Sequence, residues 1–227
     1  MPAAGVGKRM QSHCPKQYLT LLNKTVLEHT VEKLLAHHAV SRVIIALGKE
    51  DNYFHNTCLA NHAQVTTVLG GNERVDSVLA ALNSITQPEK TWALVHDAAR
   101  PCVRVSDINK LINHCTQHHY GGLLATPVQD TMKRAENKST TVSYTENREN
   151  LWHALTPQLY PVEQLIQAIN FALQQGKVIT DESSAIELFA GKSALIESCS
   201  DNIKITRPDD LALAEFILQK QQQQEKK

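Results

Sequence analysis

The chain alternates between short apolar runs and stretches in which apolar residues recur every three or four positions. Four runs are SRVIIALG (41–48), QVTTVLGG (64–71), TWALVHDAARP (91–101) and GGLLATPV (121–128). Each is short, apolar and closed by glycine, proline or polar residues, as buried parallel strands are. Strands alternating with helices predict an α/β fold: a doubly wound, mostly parallel sheet of the Rossmann-like type, with helices on both faces.

Local signals place further elements along the chain. Thr25 and Glu28 form a capping-box pattern that starts a helix. The other predictions are a short helix near 52–60, a helix along the face of Val75, Val78, Leu79 and Leu82, a helix capped by Ser106, helices at 161–175 and within 180–188, strands at 193–199 and 202–206, and a final helix from Pro208. The polar tail 219–227 is predicted to fray.

Residues 128–150 interrupt this alternation. The segment is polar and too long for an ordinary connection. Alternation around 141–144 predicts a β-hairpin that projects from the body. A polar hairpin has no core of its own, so we expect it to pack on a second subunit; a disordered surface loop is the alternative. We therefore expect one domain over 1–227, with 128–150 as a dimerisation arm.

Composition excludes several classes of function. The 227 residues carry 23 Lys and Arg and 23 Asp and Glu, so no overall basic field exists to hold nucleic acid. The five cysteines include no C-x-x-C pair, which argues against zinc and against a disulfide framework. No apolar run reaches the roughly 18 residues of a membrane span, so we expect a cytoplasmic protein without membrane contact.

The first ten residues, MPAAGVGKRM, contain a small-residue turn followed by cations. Pro2 and Arg9 exclude the P-loop pattern, and Met10 excludes a dinucleotide G-x-G-x-x-G. Backbone N–H groups beside Lys8, Arg9 and Lys16 remain, a combination that suits a triphosphate. A plain glycine turn is the alternative reading of this segment alone.

Two later segments carry polar residues at strand ends, where doubly wound sheets bind ligands, and a third carries a lysine inside a predicted strand. GGNERVDSV places Arg74 and Ser77 on one helix face, where they can contact a base. VHDAARP places Asp97 and Arg100 past a strand end, where a structural salt bridge is an equal alternative. DNIKITRP contains Lys204 between two isoleucines, a position more often solvated than functional.

Taken together and in this order, these segments resemble the 2-C-methyl-D-erythritol 4-phosphate cytidylyltransferase family. The resemblance rests on PAAGVGKRM…PKQY, GGNERVDSV, VHDAARP, DTMKR, NR before LWHALTPQ, TDE and DNIKITRPDDLALAE, and it covers almost the whole chain. It implies transfer of a cytidylyl group from CTP to methylerythritol 4-phosphate with Mg²⁺, in a homodimer that forms through the arm. It names no protein ligand for the metal.

The resemblance also implies roles for individual residues. The residues that correspond to CTP-binding positions are Pro2, Ala3, Ala4, Gly5, Gly7, Lys8, Arg9, Lys16, Gly71, Asn72, Arg74, Ser77, Ala98 and Lys204. Those that correspond to acceptor-binding positions are Asp97, Arg100, Thr131, Arg148, Thr156 and Thr180. The catalytic set is Arg9, Lys16, Arg148 and Lys204. Asn72 stands where some relatives carry aspartate.

Two alternative functions remain open, and the chain departs from the expected fold at its first residues. A cytidylyltransferase or other nucleotidyltransferase for another acceptor, such as ribitol 5-phosphate or a sugar 1-phosphate, would share the CTP loop. A nucleotide-binding scaffold without turnover is the second alternative. In this fold the loop follows a buried central strand, yet only Met1 precedes it here. A truncated chain or a start assigned late would account for this, and we expect a gap in the core.

Overall fold

The fold is built around strands whose apolar residues are enclosed by helices. The computed structural model describes residues 1–5 and 14–225, so the predictions for Gly7, Lys8 and Arg9 lie outside the described residues. The strands are β1 (Thr20–Leu21), β2 (Lys24–Thr25), β3 (Val43–Leu47), β4 (Val65–Leu69), β5 (Trp92–Val95), β6 (Gly122–Pro127), β7 (Lys133–Ala135), β8 (Val142–Thr145), β9 (Trp152–Pro161) and β10 (Ala194–Glu197). The α-helices are α1 (Val26–Leu35), α2 (Arg74–Asn83), α3 (Val105–His118), α4 (Val162–Gln174), α5 (Glu182–Leu188) and α6 (Pro208–Glu225).

The strands form one mixed sheet and three strand pairs. The four-stranded sheet has the order β10-β6-β9-β5, in which β10 and β6 are parallel and β9 is antiparallel to both its neighbours. β3 and β4 form a parallel pair, and β1 and β2 a short antiparallel pair. The α/β class is therefore confirmed. β7 and β8 form the hairpin expected within 128–150.

Strand β9 was not predicted from the sequence. It contains Pro157, a residue usually excluded from the interior of a strand because it has no N–H to donate. The strand accommodates it in a bulge: Ala154 pairs with Ala125 and Gln158 with Leu123, so residues 155–157 lie opposite Leu124. The bulge also directs Thr156 toward the end of β5, where the site lies.

Four other local predictions need correction. The segment 202–206 is a loop and not a strand; Ile205 N–H donates to the carbonyl of Ala99 at 2.9 Å, which ties the loop to the end of β5. Two 3₁₀ turns, Phe54–Asn56 and Cys58–Asn61, replace the helix near 52–60. Helix α3 starts one residue before Ser106, and its N-cap has no side-chain hydrogen bond.

The fourth correction concerns the polar tail. Helix α6 extends to Glu225 rather than fraying at 219. Gln221 is buried in this helix, and its Nε2 donates to the carbonyl of Cys102 at 2.9 Å. One buried amide contact therefore secures the last turns. In the part of the chain that the structure describes, no helix combines the length and apolarity that crossing a bilayer requires.

The first residues lie beside β3. The carbonyl of Met1 accepts from Ala46 N–H at 2.9 Å, and Ala3 N–H donates to the carbonyl of Ala46 at 2.9 Å. Pro2 forms a parallel bridge with Ala46. These three residues occupy the carboxyl-terminal end of the position expected for a central strand, and they bring Ala4 and Gly5 to the edge of the sheet.

Candidate active site

A pocket of about 190 Å³ lies where β3, β4 and β5 end, the edge at which doubly wound sheets bind ligands. It brings together twelve of the predicted site residues: Pro2, Ala3, Ala4, Gly5, Lys16, Gly71, Asn72, Arg74, Ser77, Asp97, Ala98 and Lys204. It adds three that the sequence analysis did not single out, namely Gln17, Glu73 and Ala99. Every described residue predicted to bind CTP thus lies around one cavity.

Gln17 holds the first residues in place. This side chain is buried in the 3₁₀ turn Lys16–Tyr18, and its Nε2 donates to the carbonyls of Ala3 at 2.7 Å and Gly5 at 3.3 Å. Lys16 Nζ donates to the carbonyl of Ile205 at 2.9 Å, so its charge lies at the rim of the same pocket. Gln17 lies in the stretch PKQY that carries part of the family resemblance, and this was the only indication in the sequence that it belongs to the site.

The turn after β4 requires small residues. A Cβ on Gly70 would lie 2.9 Å from the Cβ of Ala4, and a Cβ on Gly71 would lie 2.2 Å from the Cβ of Asp76. Gly71 N–H donates to Ser77 Oγ at 3.1 Å, which fixes the turn against the start of α2. The backbone can therefore approach a bound ligand closely at this wall of the pocket.

Asp97 is the anionic centre of the site. Arg74 Nε lies 3.2 Å from Oδ1, while Lys204 Nζ and Arg100 Nε lie 2.9 Å and 3.4 Å from Oδ2. Burial alone would raise the pKa of Asp97, but Arg74, Lys204 and Arg100 outweigh burial and hold this pKa well below its ordinary range. The carboxylate stays ionised and orients all three cations.

Arg100 supports the site from behind the pocket. It is buried, and its Nη1 donates to the carbonyl of Asn202 at 2.8 Å. Burial lowers the pKa of Arg100, although Asp97 opposes this change. The contact with Asn202 anchors the loop that carries Lys204. The structural salt bridge considered for Asp97 and Arg100 is also present. Lys204, assigned to CTP binding through the family resemblance, lines the pocket, with 39% of its side chain exposed.

Glu182 completes the network and was absent from the predicted site. Its carboxylate is buried and accepts from both terminal nitrogens of Arg74, at 2.7 Å and 3.1 Å. Asp181 caps the short helix α5 and accepts from Ser184 N–H at 2.9 Å, which sets the position of Glu182 in the first turn. Burial would lower the pKa of Arg74, but Glu182 and Asp97 outweigh it and raise this pKa.

Thr156 and His96 form a buried relay next to Asp97. Thr156 Oγ1 accepts from Asp97 N–H at 3.1 Å and lies 3.0 Å from His96 Nδ1. His96 Nε2 lies 3.1 Å from the carbonyl of Arg100, which places the ring proton on Nε2 and leaves Nδ1 to accept from the threonine hydroxyl. Burial lowers the pKa of His96 to about 4, so the ring is neutral at physiological pH.

The remaining predicted acceptor residues do not line the pocket within one chain. Thr131 and Arg148 are exposed on the arm, where the Arg148 guanidinium donates to the carbonyl of Gln129. Thr180 is exposed, and its N–H donates to Ser184 Oγ at 3.1 Å. Thr156 is buried behind Asp97. The described pocket therefore contains the residues predicted to bind CTP and no residue of the arm.

An α/β sheet edge with a small-residue loop, two glycines at a tight turn, and lysine and arginine side chains around an ionised aspartate defines a site of the nucleotidyltransferase class. A model of the family described as 2-C-methyl-D-erythritol 4-phosphate cytidylyltransferase matches residues 1–220. The chain therefore belongs to the 2-C-methyl-D-erythritol 4-phosphate cytidylyltransferase family.

Individual relatives agree with this assignment. The chain is 54% identical over 228 residues to the 2-C-methyl-D-erythritol 4-phosphate cytidylyltransferase of Colwellia psychrerythraea, covering 97% of this chain and 94% of the relative. It is 53% identical to that of Salmonella paratyphi A, covering 100% and 95%. The crystal structure of the Francisella tularensis enzyme superposes with a TM-score of 0.83 at 36% identity, covering 95% of this chain and 96% of that chain.

The buried ion pair between Arg74 and Glu182 generates a stability prediction. Glu182→Gln removes the charge that faces two nitrogens of a largely enclosed guanidinium, so we expect the free energy of unfolding to fall by about 2–4 kcal/mol. Glu187→Gln is the matched control, because Glu187 lies on the same helix but is exposed and accepts a hydrogen bond from Ser183 Oγ at 2.7 Å; its effect should stay below about 0.5 kcal/mol. Urea denaturation measures both, and equal effects would contradict the assignment of Glu182.

Proposed function

We propose that this protein transfers the cytidylyl group of CTP to 2-C-methyl-D-erythritol 4-phosphate, giving 4-diphosphocytidyl-2-C-methyl-D-erythritol and pyrophosphate for isoprenoid precursor biosynthesis. The observation that carries the proposal is the convergence of the twelve matched residues on one pocket in a chain of this family. A reaction between two phosphate groups agrees with the cationic side chains that line this pocket.

In this reaction an acceptor phosphate oxygen attacks the α-phosphorus of CTP. A bond forms from that oxygen to the α-phosphorus, the bond from the α-phosphorus to the bridging oxygen of the β-phosphate breaks, and pyrophosphate leaves with the electron pair. The acceptor phosphate is already ionised near neutral pH, so the step needs no general base. Catalysis then consists of bringing two anions together and stabilising the negative charge that spreads over the phosphate oxygens during the in-line displacement.

The residues of the pocket divide this work. Pro2–Gly5, continued by Gly7, Lys8 and Arg9, hold the triphosphate through backbone N–H groups and charge. Arg9 and Lys16 stabilise the charge that grows on the phosphates in the transition state. Gly71, Asn72, Arg74 and Ser77 surround the cytosine, and Ala98 and Lys204 lie at the junction with the acceptor. Support for this division comes from the shared pocket of the described members.

We propose Mg²⁺ as the metal of this reaction. Among residues 1–5 and 14–225, no group of three or more His, Cys, Asp or Glu side chains is arranged to hold an ion. Both oxygens of Asp97 already contact cationic side chains. This donor set suits Mg²⁺ that arrives bound to the triphosphate and keeps several waters, because Mg²⁺ is often bound through substrate phosphates. The metal would neutralise phosphate charge.

A shared site in a homodimer accounts for the acceptor residues on the arm. Thr131 and Arg148 correspond to acceptor-binding positions, and both are exposed on the arm rather than turned into their own pocket. In the proposed dimer each arm extends over the neighbouring subunit, and Arg148 forms a charge-assisted bond to the acceptor phosphate there. Asp97, Arg100, Thr156 and Thr180 form or support the remaining wall.

We place the reaction in the cytoplasm, without nucleic acid or membrane as a partner. Four of the cysteines, Cys58, Cys102, Cys115 and Cys199, are free thiols. Free cysteines without disulfides are typical of a reducing compartment. The formal net charge of zero offers no general attraction for polyanions or anionic lipid.

Pyrophosphate release tests the function and the role of Lys16 together. The full chain with CTP, Mg²⁺ and methylerythritol 4-phosphate should release pyrophosphate, whereas ribitol 5-phosphate in place of the acceptor should give little. Lys16→Ala should lower kcat by about 10²–10³ with a much smaller change in acceptor KM, because its contact strengthens in the transition state. Lys24→Ala is the matched control, since Lys24 pairs on the exposed surface with Glu32 at 2.7 Å. Release with ribitol 5-phosphate alone would overturn the acceptor, and a Lys16→Ala variant as active as Lys24→Ala would overturn the catalytic role.

Subunit mixing tests the shared site. Lys16→Ala and Arg148→Ala chains should each be nearly inactive alone. If Arg148 acts on the neighbouring subunit, a mixed dimer has one site with both changes and one with neither. A 1:1 statistical mixture should then recover about a quarter of the parental activity. Continued inactivity after exchange has been demonstrated by mass spectrometry would show that each arm serves its own subunit.

A further inference from the structure

Gln158 joins two of the segments that carry the family resemblance. It lies on β9 at the end of LWHALTPQ, and the stretch TDE (180–182) leads into α5. The residue is 1% exposed. Its Oε1 accepts from Ser183 N–H at 2.8 Å, and its Nε2 donates to Asp181 Oδ2 at 2.8 Å and to the carbonyl of Leu155 at 3.3 Å. Both ends of one buried amide are therefore used.

The start of α5 is a compact unit that Ser184 closes. Ser184 N–H donates to Asp181 Oδ1 at 2.9 Å, and its Oγ accepts from the N–H groups of Thr180 at 3.1 Å and Asp181 at 3.2 Å. In this unit, the 180–184 turn, the position of Thr180 follows that of Asp181. Because α5 has only seven residues, it is not stable by itself, and its position depends on contacts with the rest of the fold.

Two side chains attach the 180–184 turn to different parts of the site. Glu182 accepts from the terminal nitrogens of Arg74 at 2.7 Å and 3.1 Å, which ties the turn to the nucleotide pocket. Gln158 ties the same turn to β9, two residues beyond Thr156. Gln158 does not itself line the nucleotide pocket. A change at Gln158 therefore acts first on the attachment of the turn to β9.

On its other side Gln158 closes the bulge of β9. The bulge begins at Leu155, whose carbonyl accepts from the Gln158 amide. Thr156 follows in the bulge, and its Oγ1 accepts from Asp97 N–H at 3.1 Å. One side chain thus connects the segment that carries Thr156 with the turn that carries Thr180. The amide also satisfies Ser183 N–H, one of the first N–H groups of α5 that have no partner within the helix.

We propose that Gln158 is a positioning residue for the acceptor: its amide fixes the separation between Thr156 and Thr180. This role rests on the proposed function, which assigns both threonines to the acceptor wall, and extends it to a buried residue. A neutral amide offers an acceptor to Ser183 N–H and a donor to the Asp181 carboxylate at once, which a carboxylate in its place cannot do. Its effect falls on acceptor binding, because the nucleotide pocket keeps all its lining residues.

Gln158→Glu tests the donor end of the amide. The introduced carboxylate can still accept from Ser183 N–H, but it has no hydrogen for Asp181 and repels that carboxylate. We expect the acceptor KM to rise by about 10–100-fold, since the lost bond is one to a charged group, and the CTP KM to change less than about threefold. Pyrophosphate release with Mg²⁺ measures both values, with each substrate varied while the other is saturating.

Gln221→Glu is the matched control. Gln221 is also a buried glutamine, 4% exposed, and its Nε2 donates to the carbonyl of Cys102 at 2.9 Å. It does not line the nucleotide pocket. The same chemical change there should lower Tm but leave both KM values within about threefold of the parent. The comparison separates a loss of stability from a loss of acceptor positioning.

A second substitution restores the bond with its direction reversed. In the Gln158→Glu, Asp181→Asn double variant, the new amide at 181 donates to the new carboxylate at 158, while its oxygen still accepts from Ser184 N–H. Asparagine is a preferred N-cap residue, so α5 keeps its cap. We expect the acceptor KM of the double variant to return to within about threefold of the parent, although each single substitution raises it.

Asp181→Asn alone decides the question if Gln158→Glu does not fold. One of the two acceptor oxygens becomes an N–H donor, so either Gln158 Nε2 or Ser184 N–H loses its acceptor. The acceptor KM should then rise while the CTP KM stays within about threefold of the parent. An unchanged acceptor KM in this variant would contradict the positioning role.

The unaltered chain distinguishes failure of this role from failure of the proposed function. It is assayed with methylerythritol 4-phosphate and with ribitol 5-phosphate, and the compound that it converts is used as the acceptor for every variant. Absence of pyrophosphate release with both compounds would overturn the proposed function itself. Release by the unaltered chain, together with equal changes of both KM values in Gln158→Glu or no recovery in the double variant, would overturn the role of Gln158 alone.

Discussion

The carboxylate of Asp97 gathers cationic side chains that start far apart in the chain. Arg74 comes from the start of α2, Lys204 from the loop before α6, and Arg100 from the turn after β5. Without this anion, three positive charges would repel each other beside the pocket, and the loop at 202–206 would lose the carboxylate that its lysine contacts. The arrangement of the site thus depends on one buried ionised group.

The charges in this network do not cancel. Arg74, Arg100 and Lys204 supply three positive charges, and Asp97 and Glu182 supply two negative ones, which leaves one positive charge at the pocket. Lys16 adds a second at the rim, and Glu73, which also lines the pocket, offsets one of the two, so one positive charge remains. The excess has the sign that a triphosphate requires. A chain without overall charge thereby builds an anion site locally, and its cations are already oriented before a ligand arrives.

Patterns with a local physical cause could be read from the sequence, and those with a distant cause could not. The apolar runs of β3 and β5 and the capping box at Thr25 depend on neighbouring residues, so periodicity revealed them. β9 was not predicted because a bulge accommodates Pro157. The prediction of a strand at 202–206 was wrong because Ile205 is fixed by its hydrogen bond to Ala99, about a hundred positions earlier in the chain. The site residues matched through the family resemblance converge on the pocket, but Glu182 depends on Arg74, 108 residues earlier, which no spacing rule connects.

Titration of Asp97 tests whether one ionised carboxylate holds the cations of the site in place. Carbon-13 NMR of the side-chain carboxyl reports its ionisation, and the account predicts no titration step near the ordinary aspartate value of 3.8 while the chain stays folded. Because the pKa is lowered in the folded state, this ionisation contributes stability above pH 3.8, and the contribution is lost as the pH falls further. Lys204→Met removes one of the cations and should raise the pKa of Asp97. An Asp97 that titrates at its ordinary value in the folded protein, or a pKa unchanged by Lys204→Met, would contradict the account.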